Sequence, residues 1–134
     1  MFKNRNKPKT FGRMMSYEMN KQIALNWFSA FNTHNLEALL GLYHDDAQHY
    51  SPKLKLRNPQ SKGLIKGKAA LSEWWQDAFR RLPSLRYEML GLTIDKQQVF
   101  LEYLRHVDTE EDMRVAELLV IEKGKIIASR VYHG

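Results

Sequence analysis

Apolar residues recur at three- and four-residue spacing near the start of the chain. Met19, Ile23, Ala24, Trp27, Phe28 and Phe31 mark one broad face of a helix over about residues 17–32, with Ser16 placed to cap it. The polar break from Asn32 to Asn35 ends that face. Asn35 then caps a second, short helix on which Leu36, Leu39, Leu40 and Tyr43 align. Ala47 to Ser51 reads as a strand stopped by Pro52, and the stretch to Gly67 reads as a loop, with a short strand near Leu64-Ile65. Gly67 opens a third helix that buries Ala70, Leu71, Trp74, Trp75, Ala78 and Phe79 and ends before Pro83.

The period then changes to two. Leu85, Tyr87 and Met89 alternate with polar residues, as do Val99, Leu101 and Tyr103 beyond the turn at Asp95-Lys96. After an acidic turn at residues 108–112, Met113 to Ile121 is nearly continuous apolar strand. A hairpin turn at Glu122 to Lys125 leads into a last strand from Ile126 to Tyr132. Three helices followed by a meander predict an α+β fold, helices packed on one face of a mostly antiparallel sheet. The strand from Arg114 to Ile121 is apolar on both faces, so its second face predicts a homodimer formed through the sheet.

Composition narrows the chemistry. There is no cysteine among the 134 residues, which excludes disulfides, thiolate metal sites and thiol nucleophiles and suits a cytoplasmic protein. No apolar run is long enough for a transmembrane helix, and no membrane partner is expected. Five of the net +6 charges lie in the first fifteen residues. This stretch reads as a basic, disordered and dispensable arm, with the folded domain over residues 16–134; Met14, Met15 and Met19 leave open a later start. A second basic stretch carries Lys53, Lys55, Arg57, Lys62, Lys66 and Lys68 with no acidic residue. No nucleic-acid recognition motif accompanies either one, so nucleic acid is not an expected partner.

Candidate site residues come from chemistry out of place. Glu117 interrupts the apolar face of Val115 and Leu119, and a buried carboxylate must be paired or protonated. It reads either as a cleft carboxyl of raised pKa or as a structural residue, paired with Arg105 or another cation or turned to the dimer interface. His49 and Ser51 project to one side of their strand. His49 is then a general base, or a pocket histidine bonded to backbone or water. Tyr103 and Arg105 share a strand face, where Arg105 either holds a ligand anion or is a solvated edge residue. His44, Asp45 and His49 lack the spacing of a metal site, and neither metal nor organic cofactor is expected. Asp45-Asp46 reads as a turn between helix and strand.

The order of these pieces resembles a known family. A first aromatic helix precedes LEALLGLYHDDA, a strand ending in proline, GLIKGKAALSEWW and the ending ELLVIEKGKIIASRVYHG. From Tyr17 to Gly134 the chain resembles the SnoaL-like and ketosteroid-isomerase-like branch of the nuclear-transport-factor-2-like superfamily. The resemblance implies a cone-shaped domain, its helices on a curved sheet around a pocket, and mostly dimeric assembly. It also implies activities that range from steroid isomerisation and polyketide cyclisation to none. On it, the isomerase base falls at Ser51, the oxyanion tyrosine at Trp27 and the second oxyanion carboxyl at Glu117. His133 falls at a cleft-lining position or frays with the terminus. The basic stretch lies near the cleft mouth, where it either favours anionic ligands or is simply solvated. The expectation is a cofactor-independent acid–base enzyme of isomerase, cyclase, lyase or hydrolase type acting on a small ligand, with Glu117 and His49 as the working pair. Trp27, Ser51, Tyr103, Arg105 and His133 would bind substrate. The alternative is a non-catalytic dimeric interaction module with a vestigial cleft.

Overall fold

The computed structural model describes residues 7–133, with side chains described from Met15 onward. The elements run α1 (Lys7–Asn32), α2 (Leu36–Gly41), β1 (Tyr43–Tyr50), α3 (Pro52–Arg57), β2 (Leu64–Lys66), α4 (Lys68–Arg81), β3 (Arg86–Ile94), β4 (Gln98–His106), β5 (Met113–Glu122) and β6 (Lys125–His133). Strands order β2-β1-β6-β5-β4-β3 in one sheet. All neighbours are antiparallel except β1 with β6. The chain is thus an α+β domain with its helices on one face of a mostly antiparallel sheet.

The three expected helices are α1, α2 and α4, and their predicted faces are the inward ones, except that Met19 of α1 is exposed. Ala24, Trp27 and Phe31 of α1, Leu39 of α2, and Leu71 and Trp75 of α4 pack against Val99, Leu101, Leu119 and Ile126 of the sheet. Asn35 caps α2 by accepting from the Ala38 N–H at 3.0 Å.

Three boundaries differ from the sequence pattern. Helix α1 begins at Lys7, well before the expected cap at Ser16. Pro8 falls in its first turn, where a missing N–H costs nothing, and the Lys, Arg and Met that follow are good helix formers. Residues 1–6 of the basic arm lie outside the described residues. Second, α2 stops at Gly41, so Tyr43, His44, Asp45 and Asp46 belong to β1 rather than to a helix end and a turn. Tyr43 pairs with Ile126 of β6, and strand alternation turns Tyr43, Ala47 and His49 inward, with a register irregularity between Tyr43 and Gln48. Third, the expected loop after Pro52 contains α3. Ser51 caps it, its Oγ accepting from the Leu54 N–H at 3.4 Å, and Pro52 occupies the first helical position. Gly63 closes the segment at φ +80°, where an added Cβ would lie 2.7 Å from the Tyr50 ring.

On the sheet's outer face, Phe100 and Tyr132 are exposed, in register with Leu118 and Ala116 of β5. The inner face forms the core and one wall of the cavity described next.

Candidate functional site

A cavity of about 370 Å³ lies between the inner face of the sheet and helices α3 and α4. Its closed end is formed by His49, Tyr103 and Glu117, each at most 3% exposed. Aromatic side chains of Phe31, Trp74, Trp75 and Tyr87 make the walls. At the open end stand Lys53, Arg57, Arg81, Arg105, Glu110 and His133.

Register explains why these groups meet. Glu117 lies across from Leu101 on β4 and Val131 on β6, so its carboxyl sits among apolar side chains. Tyr103 is opposite Val115, one inward position along from Glu117, and its hydroxyl donates to Glu117 Oε1 at 2.8 Å. Glu117 faces inward, not toward the outer sheet face, and Arg105 pairs with Glu110 instead. Both structural readings of Glu117 are thereby corrected. With no charged cation against it among the described residues, burial pushes its carboxyl up to about 8, against a smaller downward pull from the Tyr103 hydroxyl. Burial, and then the nearby Glu117, holds the Tyr103 phenol well above the usual tyrosine range. Tyr87, whose ring lies 4.2 Å from that of Tyr103, is likewise raised.

His49 ends a chain of hydrogen bonds. Because β1 sets His49 beside Ser129 of β6, the imidazole Nδ1 lies 2.6 Å from Ser129 Oγ. Tyr43 donates to the same hydroxyl at 3.1 Å, and Trp27 Nε1 reaches the Tyr43 oxygen at 3.2 Å. An indole N–H only donates, so the Tyr43 proton must go to Ser129. Ser129 is 1% exposed, and among the described residues the acceptor left for its proton is His49 Nδ1. His49 Nδ1 is therefore bare, and the proton of the neutral ring is assigned by this network to Nε2. Among the described residues no sealed side-chain nitrogen or oxygen lacks a partner. Nε2 has none among the described residues, so it is not sealed, and the space His49 lines is the cavity. Burial lowers the His49 pKa to about 4. The histidine expected as a base is placed as a neutral donor, with its Nδ1 4.0 Å from Glu117 Oε2.

Of the remaining expected residues, Ser51, Tyr103, Arg105 and His133 line the cavity. Ser51 uses its oxygen to cap α3, which leaves its O–H proton available. Trp27 does not line it: the indole is fully buried against Phe28 and Phe31 and acts through Tyr43. Of the six cations in the basic stretch, only Lys53 and Arg57 reach the cavity, and Lys68 pairs with Asp45 at 3.4 Å. Arg81, from the end of α4, joins them. Sequence reasoning missed Tyr43, Ser129, Tyr87 and Arg81. Tyr87 alone left a signal, as an inward aromatic on an alternating strand; Asn32 fixes its backbone with bonds of 2.7 and 2.9 Å.

The family model of the SnoaL-like domain matches residues 24–129. No curated protein sequence matches the chain. Among solved structures, a SnoaL-like protein of unknown function from Burkholderia thailandensis superimposes with a TM-score of 0.78 at 20% identity, covering 87% of this chain and 96% of that one. A candidate ketosteroid isomerase from Kribbella flavida gives 0.74 at 16% identity, covering 89% and 80%. A candidate polyketide cyclase from Sinorhizobium meliloti gives 0.70 at 18% identity, covering 83% and 94%. At these identities the likenesses establish the cone-shaped fold of the nuclear-transport-factor-2-like superfamily.

Proposed function

Because the chain belongs to the SnoaL-like domain family, we propose that its cavity binds a small molecule and transforms it by acid–base chemistry without a cofactor. One observation carries this reading: Glu117 is buried with no charged cation against it among the described residues, yet opens on a cavity beside a phenol and a neutral imidazole. Enzymes hold carboxyls in such surroundings so that the proton can move near neutral pH. With a pKa of about 8, Glu117 gives its proton to a ligand oxygen, or in its ionised fraction takes one from carbon. His49 Nε2–H donates a hydrogen bond to the oxygen on which negative charge develops. The rim cations and aromatic walls suit an apolar-bodied anion, held by Arg105 with Ser51, Tyr103 and His133 shaping its seat. The class is that of an isomerase, cyclase, lyase or hydrolase.

A cavity of about 370 Å³ counts against the alternative of a vestigial cleft. The working unit in this proposal is residues 16–134, acting in the cytoplasm as a homodimer through the outer sheet face. Among the described residues no helix is long and apolar enough to cross a membrane.

The test is deuterium uptake from D₂O into aryl ketones that bear a carboxylate, followed by NMR. Wild-type protein should catalyse exchange, and Glu117→Gln should slow it by about 10²–10⁴-fold while keeping the fold. Exchange unchanged by that substitution would remove Glu117 from the mechanism.

A further inference from the structure

The open end of the cavity gathers cations from separate elements. Lys53 and Arg57 come from α3, Arg81 from α4 and Arg105 from β4, with His133 of β6 beside them. Some of these are already engaged. Arg81 Nε donates to Asp77 at 2.7 Å, and the Arg57 guanidinium lies over the Trp74 ring at 5.5 Å. Lys53 is different: among the described residues no carboxylate lies within ion-pair distance of it. Its ammonium is held below the usual lysine range by burial first and by Arg105 second. Lys53 and Arg105 likewise lower His133 after burial does. These are like charges crowding one place, an arrangement stabilised by an anion among them.

One carboxylate stands there. Glu110 lies in the turn after β4, where its backbone N–H donates to Val107. Its side chain reaches back over the mouth to accept from Arg105 Nη1. Arg105, Lys53 and Arg81 all act to hold that carboxyl ionised, Arg105 most. Glu110 is 39% exposed, so it can swing away, whereas the Arg105 side chain is 9% exposed and fixed in the wall.

We propose that the cavity mouth is an anion seat occupied by the protein's own Glu110, and that an aromatic carboxylate enters by displacing it. The carboxylate class follows from the occupant, since a carboxylate already fits Arg105 there. The aromatic class follows from the walls, where Phe31, Trp75 and Tyr87 line the space between mouth and closed end. A ligand held in this way has its head on Arg105 and Lys53 and its ring turned toward Glu117 and His49. This rests on the small-molecule reading of the cavity given above.

The test uses 2-naphthoate and its neutral analogue 2-naphthamide, with binding to the full chain measured by calorimetry. Wild-type protein should bind naphthoate more tightly than naphthamide. Glu110→Gln removes the competing charge on an exposed turn and should tighten naphthoate by about tenfold, with naphthamide unchanged. Lys53→Met should weaken naphthoate by about tenfold in either background. Circular dichroism and melting confirm that each variant is folded. Naphthoate affinity unmoved by Glu110→Gln, or equal affinity for the two probes, overturns the displaced-anion seat while leaving a ligand cavity. Failure of both probes to bind any of the proteins overturns the seat and counts against the cavity reading beneath it.

Discussion

Ser129 offers no obvious chemistry, yet it decides what His49 presents to the cavity. Its hydroxyl accepts a hydrogen bond from Tyr43 and donates one to Nδ1, so the imidazole proton is left on Nε2. Ser129→Ala should cost about 1–3 kcal/mol, because it strands a buried phenol proton and a bare ring nitrogen. Nitrogen-15 NMR should show Nε2–H alone in the wild type and a mixture of tautomers in the variant. A wild-type spectrum with the proton on Nδ1 would break this part of the account. At this scale the sequence was readable where one residue contradicted its neighbours. Glu117 stood out because a carboxyl between Val115 and Leu119 has no cheap explanation. Ser129 and Tyr43 did not stand out: a serine on a strand is unremarkable, and Tyr43 continued the helical spacing of Leu36, Leu39 and Leu40.

Among the elements, period carried most of the information. Apart from Met19, helices α1, α2 and α4 turned inward the faces their spacing marked, and strands β3 to β6 lie within a few residues of the alternating runs. What period could not supply was local. The six residues of α3 are too few to repeat, and only the Ser51-Pro52 cap signals it. Likewise β1 starts within what looked like a helix, because its pairing with β6 is a long-range contact that outweighs local propensity. The outer face of the sheet was readable: Leu118 lies between Phe100 and Arg130 in one row, and Phe100 is 40% exposed. The apolar pair of Phe100 and Leu118 in that row is the proposed dimer contact. Wild-type protein should therefore sediment as a dimer, and Phe100→Glu should weaken the dimer by about 10²-fold or more by burying an unpaired charge. A wild-type monomer at micromolar concentration would remove the contact.

Across the whole molecule, the cavity is polarised. Its closed end holds three titratable groups that burial keeps neutral, and its open end holds more cations than carboxylates. The basic stretch pointed toward such a rim, but only Lys53 and Arg57 of it arrive there. Arg81 and Arg105 come from elements that only the fold brings close. The same folding separates Trp27 from the ligand space and hands its hydrogen bond on to His49. Everything in the proposed chemistry depends on Glu117 being a neutral acid whose proton is released near neutral pH. Carbon-13 NMR of the Glu117 side-chain carboxyl, titrated from pH 3 to 10 with Glu117→Gln for assignment, tests this directly. Burial raises the carboxyl from its ordinary 4.5, so the account predicts a midpoint near 8, with the protonated form dominant at pH 6. A midpoint near 4.5 would mean an ionised Glu117 at neutral pH, and would contradict it.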